Sequence, residues 1–166
     1  METLLTKEEK KGVNKIFIVG IVIGLVAIGG AVWLLSLKPP RDEQIAKVLQ
    51  GSYTQGPQYD DLQKDIVIST GENTVESPNG LGTISMFING KIYNRGTRTM
   101  EILEVNVAVV TQFGQVLKEK RILVVPVQRA QLGPGETIPI MLTIDGFDKQ
   151  DDRADIRWKV TAIKAS

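Results

Sequence analysis

Hydrophobic and polar positions follow three patterns along the chain. From Ile16 to Leu37 (IFIVGIVIGLVAIGGAVWLLSL) no residue is charged. An apolar run of about 20 residues, rising about 1.5 Å per residue, matches the ~30 Å hydrocarbon core of a bilayer. The pattern predicts one transmembrane helix. Pro39-Pro40 ends it, because proline donates no amide hydrogen bond and restricts its predecessor. A short helix is expected next, from Asp42 as N-cap to Gln50, with Ile45, Val48 and Leu49 on one face and Gly51 as its stop. From Gly51 to Asp61 (GSYTQGPQYDD) no periodicity survives, and the stretch reads as a linker or extended arm. Beyond it the period becomes two. Strands are expected at Asp65 to Thr70, Thr83 to Asn94 (Ile84, Met86, Ile88 and Ile92 on one face), Thr99 to Thr111, Val116 to Val125, Thr137 to Ile144 and Ile156 to Ile163. In the third of these, Glu101, Leu103, Val105, Val107 and Val109 share one face, with Ile102, Ala108 and Val110 opposite; in the last, Trp158 and Val160 face inward. Gln112 to Gln115 reads as a hairpin turn and Gly133-Pro134-Gly135 as a second turn. Six or seven short strands separated by glycine-rich or proline-rich turns predict a mainly β fold, an antiparallel β-sandwich.

The expected organisation is therefore a cytoplasmic tail (1–15), a transmembrane helix (16–37), a short helix and linker (38–62) and a β-sandwich domain (63–166). The tail carries Lys7, Lys10, Lys11 and Lys15, against Lys38, Arg41 and Lys47 in the stretch after the apolar run. That basic bias favours an N-terminus inside the cytoplasmic membrane, single-pass, with the C-terminal domain periplasmic or extracellular. A secretory signal has a shorter apolar region, about 7 to 15 residues, and a small-x-small cleavage site; Trp33-Leu34-Leu35-Ser36-Leu37-Lys38 supplies none, so a retained anchor is expected.

Within the apolar run, Gly20, Gly24, Ala27 and Ala31 are spaced to fall on one helical face. Small residues in a stripe let a second helix approach closely, and Gly20 with Gly24 has the GxxxG spacing. Helix packing against another membrane subunit is the expected role, and Trp33 is expected as a membrane-interface anchor.

Composition removes most chemistry. The chain has no histidine and no cysteine. That excludes Ser/His/Asp and Cys/His nucleophilic catalysis, imidazole and thiolate metal sites, histidine-ligated haem and disulfides. Outside the first 15 residues acidic and basic side chains balance at 16 each, so there is no net basic charge of the kind nucleic-acid binding calls for. Asp145, Asp148, Asp151, Asp152 and Asp155 are the densest acidic group, but they lack the EF-hand order and are interleaved with Lys149 and Arg153, which reads as a solvated loop. Glu101 and Glu104, with Lys118, Glu119, Lys120 and Arg121 of the following strand, are expected to form exposed cross-strand pairs. The glycines at 80, 82 and 90 follow no phosphate-loop pattern.

The succession Gly90-Lys91-Ile92-Tyr93-Asn94, then Val107-Ala108-Val109-Val110-Thr111, then Gly114-Gln115-Val116-Leu117, then Leu132-Gly133-Pro134-Gly135-Glu136 resembles the FxLYD family of immunoglobulin-like domains over roughly residues 83 to 163. Where the family name expects Phe, Leu, Tyr and Asp, this chain has Val107, Val109, Val110 and Thr111. The resemblance implies an immunoglobulin-like, extracytoplasmic, non-enzymatic module on a membrane helix, with no catalytic residue to carry over. The combined expectation is a non-catalytic, membrane-anchored accessory or assembly subunit of a larger membrane complex, such as an energy-transducing one. Its partners would be membrane protein subunits and the lipid bilayer, with no cofactor, no nucleic acid and no small-molecule substrate. The alternative is a free-standing envelope protein that binds a peptide or glycan through its sandwich loops.

Overall fold

The computed structural model of the chain describes residues 15–36 and 40–166. Residues 1–14 of the expected tail, and Leu37, Lys38 and Pro39, fall outside the described residues, while Lys15 opens the first helix. Two compact units divide the chain at Gln44/Ile45.

The first unit contains helix α1, Lys15–Ser36. Its segment Ile18–Ser36 has a mean hydropathy of 2.6, and none of that window is buried within the molecule. One apolar helix of spanning length is therefore present near the N-terminus. The next helix, α2 (Arg41–Leu49), begins one residue before the expected cap. Glu43 and Gln44 N–H donate to the Pro40 carbonyl (3.1 and 3.3 Å), so Asp42 and Glu43 lie in the first turn, where the helix dipole favours acidic groups. Gly51, at φ 84°, follows its end.

The second unit is a sandwich of two antiparallel sheets. One contains β1 (Ile66–Thr70), β2 (Val75–Pro78), β3 (Ile84–Asn94) and β6 (Thr137–Phe147). β3 is central: β1 and β2 lie end to end along one edge and β6 along the other. The second sheet has the order β5 (Val116–Val125), β4 (Met100–Val110), β7 (Asp155–Ala165). The chain crosses between sheets after β3, β5 and β6, the alternation of an immunoglobulin-like sandwich. Ile88, Ile92, Ile140 and Phe147 of one sheet meet Leu103, Val105, Val107, Val109 and Ile163 of the other, each at most 1% exposed.

Three local features depart from the periodic reading. Residues 51–64 are not a free linker. The Tyr53 N–H donates to Ile163 and its carbonyl accepts from Ile163 N–H (2.8 and 2.9 Å), and Pro57–Lys64 forms a third helix, α3. α3 buries Tyr59 and Leu62 in the common core, and Tyr59 Oη donates to the Val160 carbonyl (2.5 Å). Burial holds the Tyr59 phenol above its usual pKa, with Asp60 adding to the shift. Arg98 ties α3 to the β3–β4 connection through Asp61 (2.8 Å) and Asp65 (3.1 Å). The hydrogen bonds to these two carboxylates, Asp61 first, raise its pKa.

Second, β2 is an unexpected strand. The Gly71–Thr74 break between β1 and β2 is pinned to β3: Asn89 Nδ2 donates to the Asn73 carbonyl (2.6 Å) and Gly71 N–H to the Asn89 carbonyl (2.6 Å). Third, β4 carries register shifts at Met100/Ile102, Leu103/Glu104, Glu104/Val105 and Val109/Val110. The first places Met100 in the core at 0% exposure and turns Glu101 outward to Lys164 (3.0 Å). Glu101 therefore does not share the inward face, and Glu104 also turns to β7, accepting from Thr161 Oγ1 (2.5 Å). Neither pairs with β5 as expected. Lys118 and Lys120 lie on the inward side of β5 at its edge: Lys118 sits 5.9 Å from the Phe147 ring, and Lys120 donates to the Thr143 carbonyl (2.9 Å). Inward-pointing lysines of this kind protect an edge strand from pairing with other chains.

The turn residues behave as their chemistry requires. Glu136 N–H donates to Gly133 O (3.2 Å) across Pro134-Gly135, with Gly135 at φ 73°. Asn94, fully buried, donates to the Arg98 and Leu132 carbonyls (2.8 and 3.1 Å) and accepts from Gly96 N–H (3.0 Å). It joins the β3–β4 and β5–β6 connections in one buried node.

Candidate interaction surfaces

Helix α1 displays Gly20, Gly24, Ala27 and Ala31 at successive spacings of four, three and four residues, which is one face of a regular helix. A Cβ added at Gly20 or Gly24 would meet no atom within 4 Å, so the helix leaves space beside both positions. Trp33 is 65% exposed near the C-terminal end of the helix, beside Leu34 and Leu35 at 61% and 66%. Apart from Lys15 and Ser36, every residue of this helix is apolar or glycine, a surface that water solvates poorly.

At one end of the sandwich lie the β2–β3 turn, the β4–β5 turn and the 148–154 connection. The last contains Asp148, Asp151 and Asp152 of the acidic group singled out in the sequence, with Asp145 on β6 and Asp155 at the start of β7 flanking it. Its carboxylates cap backbone groups: Asp151 Oδ2 accepts from Asp148 N–H (2.7 Å), Asp152 Oδ2 from Gln112 N–H (3.0 Å) and Asp155 Oδ1 from Ile156 N–H (2.8 Å). Among the described residues no group of three or more His, Cys, Asp and Glu could hold a metal ion. Arg153 organises the loop. Nε and Nη2 form a two-point contact with Glu76 (3.0 and 2.9 Å), while Nη1 donates to the carbonyls of Asp148 (2.8 Å) and Asp151 (3.0 Å). The hydrogen bond to Glu76, with the charges of Glu76 and Asp151 adding to it, holds the guanidinium above its ordinary pKa despite partial burial. Beside it a cleft of about 310 Å³ is lined by Thr70, Thr74, Met86, Arg153, Ala154, Asp155 and Ile156. With at least four of its five N–H donors already engaged, Arg153 acts there as a strut between β2 and the loop rather than as an anion receptor. Two hairpin tips at the same end expose large apolar side chains, Leu81 at 91% and Phe113 at 83%.

The two outer faces of the sandwich differ in charge. On the outer side of the β5–β4–β7 sheet, cross-strand neighbours place Arg121, Asn106 and Lys159 in one row and Glu119, Ala108 and Arg157 in the next, with Glu101 and Lys164 beyond. Asn106 Nδ2 donates to Glu119 (2.8 Å). On the outer side of the other sheet the rows read Val67, Tyr93, Thr137; then Ser69, Lys91, Pro139; then Asn89 with Met141; then Val75, Phe87, Thr143. Lys91 is the one charge in those rows. Sequence reasoning missed this face, because each of its apolar residues occupies an outward slot of its own strand and only strand pairing gathers them.

No family model and no curated protein matches the chain. Among solved structures it is similar to a protein from Bordetella pertussis described as ApaA, at 21% identity and a TM-score of 0.35, over 49% of this chain and 67% of that one. A likeness at that level assigns neither a fold family nor an activity to this chain.

Proposed function

We propose that this chain is a non-catalytic, single-pass membrane protein that serves as an accessory or assembly subunit of a larger membrane complex. In this reading α1 anchors it in the cytoplasmic membrane and the sandwich sits on the periplasmic or extracellular side. The observation that carries the reading is α1 itself: from Ile18 to Leu35 its large apolar side chains are between 47% and 70% exposed, and the 18-residue window has no buried share. Such a surface is stable in a bilayer and unstable in water. The four lysines of residues 1–15 orient it. The open glycine stripe supports a helix partner within the bilayer, and the lack of histidine and cysteine narrows the chemistry left to the sandwich.

The test is mild detergent extraction of membranes followed by native separation and mass spectrometry of what migrates with the chain. A fixed stoichiometric set of larger membrane subunits is expected. Gly20→Leu with Gly24→Leu should reduce that co-migration by about tenfold, the size of a lost close helix contact worth about 1 to 2 kcal/mol. A lone monomer in the unmodified protein would refute the reading. It would turn attention to the second one, a free-standing envelope protein that holds a peptide or glycan at its loop end, for which the exposed Leu81 and Phe113 are the supporting observation.

A further inference from the structure

The outer face of the sheet containing β3 carries one charge, Lys91, in its four central rows, with Asp145 beyond them on β6, an unusual surface for a protein with 23% charged residues. Its large apolar members are Val67 and Tyr93 (41% exposed each), Phe87 (43%), Val75 (55%) and Met141 (78%), with exposed Pro139 between them. Serine, threonine and asparagine fill most of the rest. Lys91 lies on the central strand, exposed, and among the described residues it has no ion-pair partner. Four rows two residues apart, across three strand positions, span roughly 20 to 25 Å by 15 to 20 Å, or on the order of 400 Å². Six of the eleven side chains in those rows are apolar, so about half of that area is apolar, at the small end of functional patches on monomers.

Three occupants could cover it, and the chemistry separates them. A second copy packed face to face about a two-fold axis would bring the central Lys91 of each chain together, which is repulsive. A lipid surface would gain about 1 kcal/mol from one lysine, and a flat sheet offers no helix-like wedge to enter the headgroup region. A different protein, apolar over most of its contact and acidic opposite Lys91, meets both features at once. The area also limits what the contact can do. It is roughly half of the ~800 Å² each partner contributes to a standard interface, so it would be weak between freely diffusing proteins. Partners held in one membrane need less, because tethering raises their effective concentration toward the millimolar range.

We propose that this face docks the sandwich onto the extramembrane surface of a second protein in the same membrane, and that the partner's surface is apolar with a carboxylate that pairs with Lys91. The proposal rests on the membrane-subunit reading above and names the contact surface within it. The test uses the full chain in its native membranes, with the photoreactive residue p-benzoylphenylalanine placed at position 141 or, on the charged face, at position 121. A cross-link from position 141 to one other membrane protein, absent from position 121, is expected. Lys91→Glu should reduce it about tenfold, and replacing the carboxylate nearest the mapped cross-link in the partner by lysine should restore it. Because Lys91 is exposed, the variant should melt with the unmodified protein, which separates lost docking from lost folding. A cross-link to a second copy, to lipid alone, equally from both positions, or unaffected by Lys91→Glu would overturn the proposal. If co-migration on native separation persists while the cross-link ignores Lys91→Glu, the subunit reading stands and the docking face fails. If the unmodified protein migrates alone, both fail.

Discussion

Gly90→Ala tests how the two sheets are joined. Gly90 lies on β3 beside Thr70 of β1 and Ile140 of β6. A Cβ there would stand 2.9 Å from Trp158 Cζ2, 3.0 Å from Cη2 and 3.1 Å from the Ser69 carbonyl oxygen. Ordinary contact begins near 3.4 Å, so the indole must retreat by about 0.5 Å against steep repulsion. It is not free to do so, because Trp158 Nε1 donates to Thr70 Oγ1 at 2.8 Å. Overpacking of this kind costs about 1 to 3 kcal/mol. Removing a glycine from the unfolded chain offsets about 0.4 to 1 kcal/mol of that. The net loss is about 1 to 2 kcal/mol, or about 4 to 8 °C in Tm for a domain of this size. The assay is thermal melting by circular dichroism, together with tryptophan emission in a Trp33→Phe background that leaves Trp158 as the single indole. Emission should shift to the red as the Thr70 contact loosens. Gly80→Ala is the control, since nothing lies within 4 Å of its Cβ and its φ is not positive. If Gly90→Ala melts with the control and its emission is unchanged, the close approach of Trp158 is not what requires glycine there.

Two further perturbations follow from the same packing. Tyr59→Phe removes the bond to the Val160 carbonyl and should cost about 1 kcal/mol at pH 7, read from urea midpoints. The raised Tyr59 pKa means the folded state favours the neutral phenol, so its contribution is fully present below the ordinary tyrosine value of 10.0 and is lost as pH rises above it. Between pH 9 and 11 the unmodified protein should therefore lose stability faster than Tyr59→Phe, and parallel curves would contradict the assignment. Arg153→Lys keeps the charge but cannot reproduce the contacts to Glu76 and two carbonyls. Amide exchange in residues 148–152 should rise at least about tenfold while the Tm falls by only a few degrees, since the Glu76 side chain is 41% exposed and its ion pair is screened by water; unchanged exchange would remove Arg153 as the strut.

The contrast between what could be read along the chain and what could not has a physical origin. β3 was legible because Ile84, Met86, Ile88 and Ile92 alternate with outward residues and all four pack on or into the core. β4 was legible as a strand and in the facing of Leu103, Val105, Val107 and Val109, which all join the core, but not at Glu101, which the Met100/Ile102 shift turns outward without any mark in the composition. Ile102, Ala108 and Val110 are at most 8% exposed on its outer side as well, because the sheet's flanking strands shield a central one. α3 escaped because PQYDDLQK offers two anchors, Tyr59 and Leu62, and its helix depends on docking rather than on its own periodicity. The proposed docking face belongs to the same class. Val67, Phe87 and Met141 lie in three strands up to 74 positions apart, and along the chain each looks like an isolated exposed apolar residue, which is common on any surface. Register alone gathers them on one face of the sheet. The charge balance hides the face equally well: a near-neutral total is compatible with charges spread over both sheets or, as found, gathered on one and nearly absent from the other. A one-residue slip of β6 against β3 would replace Met141 in this row with a core residue and dissolve the patch. The same inward isoleucines that hold the sandwich together therefore also hold its charge-poor face in register.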